Sequence, residues 1–278
     1  MAIIKVIQPE QSGIFDQLHS LYETFKQIDS SEKNLFDLSE ITRLSPLLVT
    51  ALSIYIAENK SDFILPADTN FKSYLNEIQF PKGIDTIENI SLNRKNFSPL
   101  SFIRKSPGRD KFLYSFLNLI YQLIGEIEGM KTAFYYPLTE LIENIFEHSK
   151  KNYGCVFGQI YEEDQTLEIC IADTGRGIKG SYKEELNLNL SDEEAIGLCL
   201  KGESTKDYDR GYGVHTSKRV ICEGFKGDFI LLSGQAVYAA SGNEDFMPPL
   251  PGFNWKGVII VYRIPYTERI VNIHQYLE

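Results

Sequence analysis

The chain has 278 residues, 43% hydrophobic and 24% charged, which is apolar material enough for one large folded unit or two modest ones. A formal net charge of −10 and a pI near 5.0 argue against a nucleic-acid or anionic-membrane partner, because phosphate polymers are held by clustered Lys and Arg. Cys155, Cys170, Cys199 and Cys222 lie far apart, with no CxxC pair and no His at ligand spacing, which argues against a zinc site or a disulfide framework.

The first residues, MAIIKVIQPEQSG, lack the basic segment, apolar run and small-residue cleavage site of a secretory leader. The most apolar stretch, Leu44 to Ala57, is too short to span a bilayer, so the chain reads as soluble and cytoplasmic. In chain order, hydrophobic periodicity predicts a strand at Ile3 to Ile7, a helix from Ile14 to about Ile28 and a strand at Leu35 to Leu38. A helix from Pro46 to Ala57, a strand at Phe63 to Leu65 and a helix from Phe71 to Ile78 complete a small α/β unit over residues 1–97. Ser98 to Asp110, rich in Ser, Pro, Gly and charge, reads as a linker. Beyond it, residues 111–278 form a second unit. Helices are expected from Lys111 to Glu128 and Tyr136 to Ser149, and strands at Gly154 to Tyr161, Thr166 to Ala172, Asp228 to Ser233 and Val258 to Ile264. Gly180 to Asp209 is polar and mixed, with a helical patch near Asp192 to Cys199. A loop of that length is commonly a lid or a binding segment.

Three segments carry chemistry. Projected as a helix, TELIENIFEHS puts Leu138, Leu141, Ile142, Ile145 and Phe146 on one side and Glu140, Glu143, Asn144, Glu147 and His148 on the other. Glu140 and Asn144, four apart, pair a carboxylate able to orient water with an amide oxygen able to ligate magnesium. An acidic solvated face is the plainer reading of that pattern alone. In LEICIADTGRGIKG an apolar run delivers Asp173 into a glycine turn, where a carboxylate can accept from an adenine amino group and Gly175 and Gly177 keep Cβ atoms away from a flat ring. An ordinary turn after a strand has the same composition. In KGESTKDYDRGYGVHTSKRVICEG, Gly211 and Gly213 precede a helical segment from Val214 to Cys222, so backbone N–H groups at its start can hold phosphate oxygens, with Lys206, Arg210 and Lys218 adding charge. A helix cap again accounts for such a motif in isolation. The chain has no P-loop, and the protein-kinase HRD and DFG signatures are missing.

In this order and spacing, roughly over Lys111 to Pro265, the three segments resemble the boxes of the ATPase superfamily shared by gyrase, heat-shock chaperones, histidine kinases and mismatch-repair proteins (GHKL). The resemblance implies a two-layer α/β sandwich with a mixed sheet, binding ATP and Mg2+. It implies that Asn144 ligates the metal, that Glu140 is the general base or water-orienting group, and that Asp173 reads adenine. Gly175 and Gly177 would shape the pocket floor, Gly211, Tyr212 and Gly213 would wrap the phosphates, and Ser204, Thr205 and Lys206 resemble the closing edge of the lid, with Ile178, Arg210 and Val214 as further nucleotide-binding positions. ELIENIFEHS looks closest to bacterial anti-sigma-factor serine kinases, in which a His follows the Asn by four residues, here His148.

Two positions depart from that pattern: Val258 follows Gly257 where many members have a water-holding Thr, and Asp209 and Arg210 stand where relatives often have Gly. A histidine-kinase role needs a phosphoacceptor His on a dimerising helix, and the first 97 residues offer only His19. FDLSEITRLSPLLVTALSIYIA resembles a STAS domain, although Pro46 stands where a phosphorylatable Ser would be, with Ser45 just before it. Together these features lead to an expected ATP/ADP-binding, slowly hydrolysing protein whose lid regulates an unidentified protein partner, with homodimer contacts possible. The alternatives are a protein serine/threonine kinase of the anti-sigma type and an ATP-gated interaction module without turnover.

Overall fold

The computed structural model describes residues 1–29, 31–85, 96–105, 109–124, 130–203, 213–242, 244–266 and 271–276. The chain opens with β1 (Ala2–Lys5), α1 (Ile14–Phe25), β2 (Asn34–Asp37), α2 (Pro46–Asn59), β3 (Asp62–Ile64) and α3 (Thr69–Glu77). The three strands are parallel, in the order β1-β2-β3, so each connection is a helical crossover. Ser45 caps α2 by accepting from the Leu48 N–H, Pro46 sits in the first turn, and Lys60 ends the helix in the left-handed conformation. Every residue from Pro46 to Ile54 is buried. A helix apolar on all sides must lie between two layers.

The second layer is a seven-stranded sheet. It is built from β4 (Ser101–Arg104), β5 (Tyr153–Tyr161), β6 (Thr166–Ala172), β7 (Asp228–Gly234), β8 (Ala236–Ser241), β9 (Glu244–Phe246) and β10 (Trp255–Pro265). Helices α4 (Arg109–Ile124) and α5 (Met130–His148) precede β5. Helices α6 (Gly177–Leu186), α7 (Asp192–Leu200) and α8 (Gly213–Arg219), the last running into a π turn at Val220–Gly224, join β6 to β7. The spatial order is β4-β5-β6-β10-β7-β8-β9.

Two expectations are corrected here. The sheet is antiparallel at every strand pair rather than mixed: β5–β6 and β7–β8 are hairpins, and β10 returns to insert between β6 and β7, antiparallel to both. The segment read as a linker, Ser98 to Asp110, contains β4, which pairs with β5. Its polar residues misled because Ser98 and Ser101 are fully buried, the Ser101 hydroxyl donating to the Pro99 carbonyl at 2.9 Å.

Each face of the large sheet is apolar. Val156, Ile169, Ile171, Leu231 and Ile260 pack beneath α4, α5 and the α8 region, whereas Phe157, Cys170, Ile230, Leu232 and Val261 share one core with α1, α2 and α3. Strand alternation assigns the two sets to opposite faces, and α2 fills the layer between the two sheets.

A polar cluster interrupts the second interface. Gln17 of α1 donates to Glu168 of β6 at 2.7 Å, Tyr74 of α3 donates to Gln159 at 3.0 Å, and Arg263 of β10 donates to the Ser12 carbonyl and pairs with Asp164, both at 2.7 Å. No helix among the described residues is long and apolar enough to cross a membrane.

Glu168 is fully buried, and desolvation pushes its carboxyl up to about 7, against the pull of the Gln17 amide and the Arg263 charge. The folded state therefore holds this proton more tightly than the unfolded chain, and stability falls as pH rises from about 4.5 to 7. Glu168→Gln removes that penalty of roughly 3 kcal/mol. Thermal melts should show the variant near wild type at pH 4.5 and several degrees higher at pH 8; equal melting temperatures at both values would show that Glu168 does not titrate in this range.

Candidate functional site

Helix α5 buries Leu138, Leu141, Ile142, Ile145 and Phe146 in the core under the sheet. Asn144 and His148, beside Leu141 and Ile145 of that face, reach a cavity of about 840 Å³, the part reaching solvent included. The end of β6 supplies Ile171 and Asp173, α6 supplies Gly177, Ile178, Ser181 and Tyr182, and α8 supplies Gly213 and Val214. Leu231, Val258 and Ile260 form the sheet-side wall. The lining is aliphatic with a few polar groups.

Asp173 is the buried carboxylic acid of this lining. It is only 3% exposed. Its backbone N–H donates to the Val258 carbonyl, its carbonyl accepts from the Trp255 indole N–H, both at 2.9 Å, and its Oδ1 accepts from the Gly175 N–H at 2.7 Å. Burial pushes the carboxyl up to about 7, while the Gly175 N–H and the Lys151 charge pull it back. A carboxylate at the end of an apolar strand, already partly satisfied by backbone, has acceptor capacity left for a ligand amino group.

The turn after Asp173 is held by close approaches. A Cβ on Gly175 would lie 2.3 Å from the Ser149 carbonyl oxygen, and one on Gly257, whose φ is +116°, would lie 2.2 Å from the Asp173 carbonyl oxygen. Arg176 donates to the His148 carbonyl at the end of α5 at 2.6 Å and pairs with Glu184 and Glu185 at 2.6 and 2.7 Å, tying α5 to α6. Ser233 accepts from the Ile178 N–H at 3.0 Å and donates to the Gly257 carbonyl at 2.8 Å, which pins the start of α6 to the sheet.

The structure thus brings Asn144, His148, Asp173, Gly177, Ile178, Gly213 and Val214 to one cavity. Glu140 stands beside that cavity: its Oε2 lies 2.7 Å, and Asn144 Nδ2 3.4 Å, from where a Gly213 Cβ would be. Gly175 packs on Ser149 instead of forming the floor. Ser204, Thr205, Lys206, Arg210, Gly211 and Tyr212 lie outside the described residues.

Most of the segment expected to be a polar lid is helical. Helix α6, which opens on Gly177 and holds Gly180 inside it, has no counterpart among the expected elements. Tyr182 of α6 donates to the Glu203 carbonyl, and His215 of α8 meets the Leu200 carbonyl at 2.7 Å. Arg176 was legible as part of DTGRG, whereas Ser233, Lys151 and Trp255 carry no local signal and depend on strand order.

Among the described residues no group of three or more His, Cys, Asp and Glu could hold a metal by itself. The donors beside the start of α8 are one amide, Asn144, and the neighbouring Glu140. Such a set suits magnesium, which keeps several waters and draws further ligands from phosphate, better than a closed protein cage.

Gly257→Ala should cost about 2–4 kcal/mol and shift Trp255 emission, because the added methyl meets the carbonyl that holds the indole. Gly197→Ala, in mid α7 with nothing within 4 Å of where its Cβ would stand, should instead stabilise by roughly 0.5–1 kcal/mol. Denaturant titrations of both variants check the pair, and an unperturbed Gly257→Ala would contradict the close approach.

A scan of the chain against protein-family models finds no match. A search of curated proteins finds none either.

Proposed function

We propose that the cavity is an adenine-nucleotide site, that the protein binds ATP with magnesium in a GHKL-type arrangement, and that slow hydrolysis and lid ordering regulate a protein interaction. The observation that carries this reading is the meeting of Asn144, Asp173, Gly177 and Gly213 at one cavity, although 69 residues separate the first from the last. An aliphatic slot ending in a buried carboxyl suits a flat purine with one exocyclic amine. The crowding at Gly213, where Glu140 and Asn144 would meet any Cβ, keeps the backbone there bare for a phosphate to approach.

Asp173 would accept from the exocyclic amine, with Ile178 and Val258 against the ring. Asn144 would hold magnesium, which when bound neutralises phosphate charge. Glu140, one turn before Asn144 on α5, would orient the attacking water and take its proton. Val258 cannot hold a water as a Thr would, so purine recognition falls on Asp173 and shape. The STAS resemblance of the first unit is supported only by its parallel strands and crossover helices.

Calorimetry should show ATP binding that requires magnesium. Asp173→Ala should weaken it about 30-fold or more, the loss expected for a buried hydrogen bond to a charged group. Asn144→Ala should abolish the magnesium requirement, and Glu140→Gln should bind normally while lowering ADP release about 10²–10⁴-fold. A folded wild type that binds no adenine nucleotide would rule the reading out, and phosphate appearing on a protein partner would redirect it to a kinase.

A further inference from the structure

We propose that Ser233 of β7 is a positioning residue of the purine slot, its hydroxyl holding two walls beside Asp173 at a fixed separation before any nucleotide arrives. The proposal rests on the nucleotide reading above. Gly177 and Ile178 of α6 line one side of the cavity, and Val258 of β10 lines another. Ser233 stands behind them, 3% exposed, and bonds to the backbone of both walls. Its hydroxyl accepts from the Ile178 N–H at 3.0 Å and donates to the Gly257 carbonyl at 2.8 Å.

Each wall needs that hydroxyl for its own reason. The first-turn N–H groups of a helix have no partner within the helix. Arg176, at the N-cap of α6, has a side chain without an acceptor, and it is drawn instead to the His148 carbonyl, Glu184 and Glu185. Ser233 therefore caps α6 from a strand 55 residues further on. On the other wall, β10 pairs with β7 at Trp255–Gly234 and next at Val258–Ser233, so Lys256 and Gly257 bulge out of the register. A bulge takes backbone groups out of the ladder, and the Ser233 hydroxyl binds the Gly257 carbonyl there.

The fit at this point is close. A Cβ on Gly177, whose φ is +72°, would lie 2.9 Å from the Ser233 oxygen and 3.3 Å from the Gly257 carbonyl oxygen. One on Gly257 would lie 2.8 Å from Asp173 Oδ1. The carboxylate proposed to read the base thus stands against the bulge that Ser233 ties to α6. The start of the bulge is anchored separately: the Trp255 indole donates to the Asp173 carbonyl at 2.9 Å, and its ring meets Phe25 of α1 edge-on at 5.5 Å.

Without the hydroxyl, the work of setting the slot's width is drawn from nucleotide binding. Ser233→Ala should weaken ATP binding about tenfold, the size of one hydrogen bond's net worth. Ser233→Thr, which keeps the hydroxyl and suits a strand, should bind within about twofold of wild type. In an Asp173→Ala background, Ser233→Ala should cost less than about twofold more, because the group it positions is gone. A purely structural role would lower the melting temperature and leave the two losses additive.

Amide exchange in the wild type tests the same point without a variant. In nucleotide-free protein the Ile178 N–H should exchange at least about 100-fold more slowly than an open-chain amide. Three results overturn this role and leave the nucleotide reading intact: an Ile178 N–H that exchanges freely until ATP is added, additive losses in the double variant, or a normally melting Ser233→Ala that binds ATP like wild type. A wild type with a protected Ile178 N–H that binds no adenine nucleotide overturns the nucleotide reading, and this role with it.

Discussion

An antiparallel sheet with one wet face can stand with helices on a single side, but the seven-stranded sheet here is apolar on both. Covering only one face would leave Phe157, Cys170, Ile230, Leu232 and Val261 in water. The first unit removes that exposure. Its helix α2 has no polar face to spare, because the three-stranded sheet lies on one side of it and the seven-stranded sheet on the other. From this double burial follow the tethers at its margins: Gln17 to Glu168, Phe25 to Trp255, and Glu58 to Lys151.

The cavity forms on the opposite side, between the sheet and the helices α5, α6 and α8. Its polar groups are few, and the elements that carry several of them are tied down from behind. Asp173 is held through its own backbone by β10, α6 is pinned by Ser233, and the end of α5 is capped by Arg176. Such fixing allows a site to meet a ligand with little reorganisation. The buried carboxyl is costly to keep charged in the fold, and the groups arranged behind it partly offset that cost.

Local chemistry made much of this legible in the sequence. The 3.6-residue period of α5 separated Asn144 and His148 from the core, and the apolar run of β6 pointed Asp173 into its turn, because both patterns act within a single element. What stayed hidden depends on partners far along the chain. Nothing in WKGVIIVYRIP itself says that β10 lies between β6 and β7, so nothing assigned Trp255 to Asp173, and only the family resemblance brought Val258 to that site. Strand β8, with its small residues AVYAAS, lacks alternation, since both its faces are covered, and α6 looked like loop because it starts on Gly177 and has Gly180 inside it. The continuous apolar surface of α2 signalled burial but not the surface that would cover it.

The contact between Phe25 and Trp255 joins residues 230 positions apart. Emerging from a ribosome at about 5–20 residues per second, α1 and α2 wait on the order of tens of seconds for the strand that completes their cover. During that interval the most apolar helix of the chain has only the small parallel sheet to shelter it. Folding of this protein is therefore timed by its last long strand, and the nascent first unit is the stage at which a chaperone, or an aggregate, finds its opportunity.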